Sequence, residues 1–329
     1  MTKNVSAIIE SVGAYAPPNI LTNADLEKMV DTSDEWIIER TGIKERRIAS
    51  EGMSTSDLAT KAALSCLSSS SIEPEDIDLI IVATASPDYA FPATACLVQH
   101  ALGATNAAAF DVEIGCTGFI YGLAIGSQFI VSETYENVLV IGAETLSRLI
   151  NWEDRNTCVL FGDGAGAALL TPGKPDEGIL GFHLGVDGSQ EEVLYLPAGL
   201  SKLPASHDTV DQGLHYVHME GRAVFKFAVT TMNNAVSKLL EQIGKTPEDV
   251  DLLIPHQANI RIINSAIQRF QIPREKVMIN IEKYGNTSSA SIPIALYEAH
   301  EQGRINKGDL VILVGFGAGL SWGSIAIKW

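Results

Sequence analysis

The 329-residue chain is short of positive charge: 23 lysines and arginines stand against 40 aspartates and glutamates, a formal net charge of −17. Nucleic acid and acidic lipid surfaces are held by lysine and arginine, so such a body excludes both as general partners. An acidic protein partner would need a local basic patch. Cysteine is scarce as well. Its four positions, 66, 96, 116 and 158, include no Cys-x-x-Cys pair, which argues against a zinc site or a disulfide framework and fits a reducing compartment. No apolar run approaches the roughly eighteen residues of a membrane span, and Ala7-Ile8-Ile9 is cut short by Glu10. The expectation is therefore a cytoplasmic protein with no signal peptide. At 46% hydrophobic and 19% charged residues, the composition is that of a globular chain, long enough for two domains or one duplicated domain.

What is present gathers around Cys116. Phe110 to Gly115 reads as a short strand, and the segment from Cys116 through Ile125, Phe129 and Ile130 reads as a helix almost without a polar face, which belongs in the interior. A cysteine at the positive end of a buried helix meets the macrodipole and free N–H groups, which favour thiolate and draw its pKa from about 8.5 towards neutrality. That makes it a candidate nucleophile. For a lone cysteine, a small buried residue in a tight turn is the commoner explanation.

Along the rest of the chain, residues 6–12 read as a strand and residues 22–27 as a helix start with early acids. Residues 34–42 read as a helix closed by Gly42, with Trp36 and Arg40 on one face, residues 54–70 as another helix, and residues 78–84 as a strand of the parallel-sheet kind. An internal repeat sets the architecture. Pro74-Glu75-Asp76-Ile77-Asp78-Leu79-Ile80 returns as Pro247-Glu248-Asp249-Val250-Asp251-Leu252-Leu253, an offset of 247 − 74 = 173, and the same offset lays Val138–Gly142 on Val311–Gly315. Between them, Asp111–Thr117 aligns with Asn280–Thr287, one residue longer. The expected fold class is α/β, two copies of one unit: residues 1–174 carrying Cys116 and residues 175–329 carrying His256 and Asn286, with residues 175–220 as join and insertion.

The repeat puts Cys116 and Asn286 at equivalent helix starts and His256 just beyond a strand's carboxyl end, where the sites of α/β sheets gather. Packing about a pseudo-twofold axis brings a thiol, an imidazole and an amide into one pocket. The histidines at 100, 183, 207, 215, 218 and 300 have no such position. Two glycine-rich stretches, Gly315-Phe316-Gly317-Ala318-Gly319 and Phe161-Gly162-Asp163-Gly164-Ala165-Gly166, each lead into a strand and not a helix, so a dinucleotide site fails on context. Glycine there serves instead to bring a backbone N–H close to a reacting carbonyl.

Gly-Cys-Thr-Gly at 115–118, Pro-His-Gln-Ala-Asn at 255–259, Gly-Asn-Thr-Ser at 285–288, Gly-Phe-Gly-Ala-Gly at 315–319 and Asp-Thr-Ser-Asp-Glu-Trp at 31–36 together resemble β-ketoacyl-[acyl carrier protein] synthase III of the thiolase superfamily. The resemblance implies the five-layered αβαβα thiolase fold with two pseudo-symmetric duplicated halves, a homodimer, and the initiating condensation of acyl-CoA with malonyl-acyl carrier protein in bacterial-type fatty acid synthesis. It implies Cys116 as nucleophile, Cys116 and Ala318 N–H groups as oxyanion hole, and His256 and Asn286 as donors to the enolate left by CO2, with CoA thioesters as substrates and neither cofactor nor metal. By the same likeness Trp36 and Arg155 sandwich the adenine of CoA, with Arg40 and Asn156 beside the nucleotide. Phe91, Leu146 and Phe161 belong to the acyl pocket, Phe91 reaching from the dimer partner. Lys226, Gln257, Arg261 and Arg269 are expected to meet the carrier protein. Two departures stand out: Asn156 where glycine is common, and Gln268 where a basic residue is frequent.

Three alternatives stay open from sequence. A condensing enzyme of polyketide or quinolone type, using CoA on both sides, would employ the same triad. A degradative thiolase would need a second cysteine where Gly317-Ala318-Gly319 offers none. A silent partner subunit would have no reason to keep all three residues.

Overall fold

The computed structural model describes residues 5–329. The first half contains β1 (Ser6–Tyr15), β2 (Asn19–Thr22), α1 (Asn23–Leu26), α2 (Asp34–Thr41), β3 (Glu45–Ile48), α3 (Thr55–Leu67), β4 (Leu79–Ala83), α4 (Thr94–Leu102), β5 (Ala108–Val112), α5 (Gly118–Val131), β6 (Val138–Glu144) and β7 (Gly164–Gly173). The second contains β8 (Gly178–Val186), β9 (Leu194–Tyr195), α6 (His207–Asp211), β10 (His218–Met219), α7 (Gly221–Gln242), β11 (Leu252–Pro255), α8 (Ile260–Phe270), α9 (Ile281–Tyr284), α10 (Ser291–Glu301), β12 (Leu310–Gly317) and β13 (Ser321–Lys328).

The unbroken apolar runs of β4, β6 and β12 bury both faces. Leu79, Ile81, Val138, Val140, Val311 and Leu313 point to a central core, while Ile80, Val82, Leu139, Ile141, Ile312 and Val314 point to outer ones. Such strands must be covered on both sides. Helices α3 and α4 cover one outer face, α7 and α8 the other, and α5 and α10 lie between the two sheets. The result is five layers, αβαβα.

The sheets share one topology. The first runs β1-β7-β6-β4-β5 and the second β8-β13-β12-β11, with β4–β6 and β11–β12 parallel and the β7 and β13 pairings antiparallel. The two Pro-Glu-Asp segments are matching single 3-10 turns that feed β4 and β11. The third stretch of the repeat differs. Asp111 lies in β5, but Asn280–Thr287 holds the short helix α9, whose backbone bonds locally (Lys283 to Asn280, Gly285 to Ile281), and the counterpart of β5 shrinks to a Leu253–Val277 bridge. Of residues 175–220, the first part is not a join at all: β8 is an edge strand of the second sheet, and the insertion begins after it.

Helix α5 lies flat on the first sheet through a glycine row. A Cβ at Gly118, Gly122 or Gly126 would come within 2.8 Å of Ala83 Cβ, 2.8 Å of Val140 Cγ1 and 3.0 Å of Val138 Cγ1. The Gly122→Ala change normally favours a helix by about 1 kcal/mol. Here overpacking against a stiff β-branched neighbour should reverse the sign, lowering stability by about 1–3 kcal/mol in urea titrations. Gly188→Ala, which meets nothing within 4 Å, should be near neutral.

Candidate active site

Cys116 sits in a single 3-10 turn, Gly115–Thr117, between β5 and α5. The end of β12 presses on this turn backbone to backbone: a Cβ on Gly317 would lie 2.7 Å from Cys116 N, and one on Gly115, at φ 54°, would lie 3.1 Å from Ala318 N. Thr117 Oγ1 donates to Ile114 O at 2.8 Å and lies 2.9 Å from Ser321 Oγ. The two halves of the chain are thus locked at Cys116.

His256 follows β11 and is buried, its N–H donating to Val314 O at 2.8 Å. Its Nδ1 lies 2.6 Å from Ser291 Oγ at the start of α10, and that oxygen also accepts the Gln257 N–H at 3.3 Å. Ser291 Oγ has no other acceptor for its hydrogen among the described residues, so it donates to Nδ1, which assigns the imidazole proton to Nε2. The ring stands edge-on to Phe316 at 5.4 Å. Burial without a counter-charge pulls its pKa down to about 3, so the imidazole is neutral.

Asn286 is held at both backbone ends by Leu160 O (2.8 Å) and Gly162 N (3.0 Å). Its Oδ1 accepts the Ser288 N–H at 2.8 Å, which identifies Nδ2 as the free end. Cys116, His256 and Asn286 line one cleft, walled by Leu160, Phe161, Leu194, Met219, Val224, Phe225, Ile262 and Phe316 and closed by Gly317.

The electrostatics of the thiol differ from the sequence expectation. Burial pushes Cys116 up to about 12, with the Glu144 and Glu113 carboxylates adding to the rise and the Ser288 hydroxyl opposing it. The turn's free N–H groups do not outweigh the lost hydration of a buried sulfur. The resting group is a thiol.

Other expected residues divide. Arg155 and Arg40 both stand over the Trp36 ring, their Cζ atoms 5.1 and 5.7 Å from its centroid, and Arg155 Nη1 donates to Asp31 O at 2.7 Å. Asn156 is exposed beside them, its amide bonded to Asp154. Lys226 and Arg261 are exposed near the mouth of the cleft, Arg261 lying 5.4 Å over the ring of Phe225, a wall residue. Arg222, one turn before Lys226 on α7, is a further exposed cation that sequence reading passed over. Arg269 lies at the opposite end of α8, about 12 Å from Arg261 along the axis.

Two expectations fail. Gln257 is buried, with Nε2 donating to Pro255 O and Met278 O and Oε1 accepting from Asn280 N, so it braces the loop and offers nothing to a docking partner. Leu146 does not line the cleft; it packs behind Phe161 with Leu26, Ile37 and Ile281. The expectation for Phe91 concerns a partner's pocket and is a separate matter: its ring is 86% exposed and outside this chain's own cleft.

The neutral imidazole has a thermodynamic signature. The unfolded chain protonates His256 near its ordinary pKa of 6.5, the folded one only near 3. Its contribution to stability is therefore complete above about pH 6.5 and is lost as pH falls from there towards 3. A His256→Gln protein should show a shallower dependence of unfolding free energy on pH between about 6.5 and 5, by up to ~1.4 kcal/mol per unit. Urea titrations across that range measure it.

The family model described as 3-oxoacyl-[acyl-carrier-protein] synthase III matches residues 110–188, and its C-terminal counterpart matches residues 240–329. The chain is 60% identical over 329 residues to the β-ketoacyl-[acyl-carrier-protein] synthase III of Caldanaerobacter subterraneus, covering 100% of this chain and 99% of that one. The crystal structure of 3-oxoacyl-[acyl-carrier-protein] synthase III from Aquifex aeolicus superposes with a TM-score of 0.91 at 49% identity, covering 98% and 100% of the two chains. The priming β-ketosynthase of the R1128 polyketide pathway reaches the same TM-score at 33% identity, covering 99% and 97%. Likeness of this extent, with the five-layered fold in place, makes the chain a member of the β-ketoacyl-[acyl-carrier-protein] synthase III family of the thiolase superfamily.

Proposed function

We propose that the cleft performs two half-reactions of one initiating condensation on a single sulfur. The chain is an acyltransferase that joins an acyl-CoA to malonyl-acyl carrier protein, giving 3-oxoacyl-acyl carrier protein, CO2 and CoA in bacterial-type fatty acid synthesis. We read the primer as acetyl-CoA. Cys116 attacks the thioester carbon, and the oxyanion is held by the N–H groups of Cys116 and Ala318, which the Gly317 and Gly115 contacts bring together. CoA leaves and the malonyl thioester takes its place. Loss of CO2 puts charge on the thioester oxygen, which His256 Nε2–H and Asn286 Nδ2–H stabilise while the carbanion attacks the acyl-enzyme.

One observation carries this reading. Both donors have their other polar end engaged, His256 Nδ1 by Ser291 and Asn286 Oδ1 by Ser288, so that two neutral N–H groups are left for the cleft that holds the thiol. Neutral donors suit an enolate formed by decarboxylation, since no carbon-bound proton has to be removed. The reading needs no resident cofactor or metal.

Trp36 and Arg155 form the adenine site, with Arg40 and Asn156 beside it. Two stacking contacts of about 3.5 Å each need roughly 7 Å, so Arg155, now 5.1 Å from the ring, withdraws by about 2 Å to admit the base. Phe161 lines the acyl pocket. Lys226, Arg261 and Arg222 supply local positive charge at the cleft mouth for an acidic carrier protein, against a body of net charge −17. The exposure of Phe91 accords with assembly as a homodimer in which a second copy covers it. We place the boundary of the two halves at 174/175, just past the end of β7. Cytoplasmic residence is the reading that accords with four unpaired cysteines, one of them exposed; among the described residues no helix is long and apolar enough to cross a membrane.

Separate assays of the half-reactions test the assignment. Asn286→Ala and His256→Ala should still accept acetyl from acetyl-CoA, while decarboxylation and condensation fall by roughly 10²–10³-fold or more. Cys116→Ala should form no acyl-enzyme yet release CO2 measurably. An Asn286→Ala protein that decarboxylates normally and cannot be acylated would reverse the two roles.

A further inference from the structure

Arg46, in β3, is among the largest side chains that the fold buries completely. Among the described residues its partners are three neutral oxygens: Nη2 donates to Val159 O at 2.6 Å, and Nη1 to Asn23 Oδ1 at 2.7 Å and Leu21 O at 3.4 Å, while Nε has none. Burial lowers its pKa only to about 10, so the guanidinium is charged at neutral pH. The two half-reactions above make no use of it. An apolar side chain of similar volume would fill the space without stripping a cation of its water. What the planar fork supplies instead is a pair of directed bonds at a fixed angle.

Those bonds join two parts of the site. On one side, Asn23 Oδ1 is itself fixed, because Asn23 Nδ2 donates to Ile43 O and Asp34 Oδ1, both at 2.8 Å. Asp34 opens α2, the helix that carries Trp36 and Arg40. On the other side, Val159 O leads into the segment Leu160-Phe161-Gly162, which runs beside Asn286 as a parallel bridge. Leu160 O accepts the Asn286 N–H at 2.8 Å, and Gly162 N donates to Asn286 O at 3.0 Å. Among the described residues no side chain other than Arg46 hydrogen-bonds to residues 159–162. Its stem lies against the same place: a Cβ on Gly162 would come 3.1 Å from Arg46 Cβ, and one on Gly285, just before Asn286, 3.4 Å from it. Asp163 N bonds to Arg47 O at 2.8 Å. The backbone that seats Asn286 therefore rests on β3.

We propose that Arg46 is a positioning residue for Asn286: by fixing Val159 O it sets the backbone that aims Asn286 Nδ2 at the enolate oxygen. The inference rests on the reading of Asn286 as a donor to that enolate. Arg46 itself does not line the cleft. Its effect belongs to the second half-reaction, because acylation uses Cys116 and the N–H groups of Cys116 and Ala318, which are seated by the Gly115 turn and the end of β12. A donor displaced by about 1 Å loses on the order of 10²-fold in rate. Loss of the brace is thus felt by decarboxylation and spared by acyl transfer.

The test measures the half-reactions separately, as acetyl transfer from saturating acetyl-CoA to Cys116 and as CO2 release from malonyl-acyl carrier protein. The proteins are wild type, Arg46→Met, Arg46→Lys, Asn286→Ala and the double variant Arg46→Met with Asn286→Ala. If Asn286→Ala alone releases CO2 at the wild-type rate, the reading of Asn286 falls and the proposal with it. If its CO2 release drops, Arg46→Met should lose roughly 10- to 10²-fold in CO2 release with acetyl transfer near wild type. Arg46→Lys, which keeps the charge and a donor, should lie between the two. In the Asn286→Ala background the Met change should bring no further loss, because the group it positions is gone. Wild-type CO2 release by Arg46→Met overturns the proposal. So does equal loss in both half-reactions, or a further loss of the same factor in the double variant, each of which marks a general distortion. Should the Met protein not fold, the Lys protein carries the comparison: a fall in CO2 release with acetyl transfer intact supports the brace, and any other pattern overturns it.

Discussion

The turn at Gly115–Thr117 touches the second half of the chain through backbone, and the rest of the site is arranged around that contact. Because Gly317 has no Cβ, the end of β12 packs directly against the Cys116 main chain, and because Gly115 can hold φ 54°, the turn bends towards Ala318. A side chain at Gly317 would push the two sheets apart at Cys116. The same logic seats the catalytic turn from the other side: a Cβ at Gly142 in β6 would lie 2.3 Å from Ser289 O, so the bare strand lets the 288–290 turn rest directly on it. Asn286 then arrives in the same cleft as Cys116 as a consequence of sheet packing.

Enclosure between two sheets fixes the charge states. Burial costs the charged forms their hydration, so the imidazole stays neutral, the thiol stays protonated, and the carboxyl of Glu144 is raised above the ordinary range. Each of these suits a reaction in which charge develops only transiently, on an oxyanion or an enolate, and is met by donors already in place. A site with a standing thiolate would have to hold that charge through every step. Glu144, at the end of β6, is held by five hydrogen bonds from neutral groups.

Much of this was legible in the sequence, for reasons that can be named. The strands β4, β6, β11 and β12 are apolar on both faces and return at a fixed spacing, so architecture and duplication followed from pattern alone. Gly42 and the Thr22 and Ser33 caps mark helix ends by local chemistry. What was illegible depends on contacts between distant segments. Gln257, beside His256, looks like an ordinary polar loop residue until Pro255, Met278 and Asn280 close around it. Glu144 ends an apolar strand, where an acid signals only a boundary, and its partners come from residues 84–86 and 289. The thiol's pKa was misjudged because the helix terminus is a local feature and the desolvation is not. Asn280–Thr287 misled as a strand counterpart because a short helix can occupy the same sequence spacing.

The account stands on one sulfur, and the direct measurement is to locate the acyl group. After brief exposure to acetyl-CoA and peptide mapping by mass spectrometry, a single acetyl should be found on Cys116, with Cys66, Cys96 and Cys158 unmodified. Stoichiometric acetyl on exposed Cys96, or on Cys158 with Cys116 left bare, would contradict it.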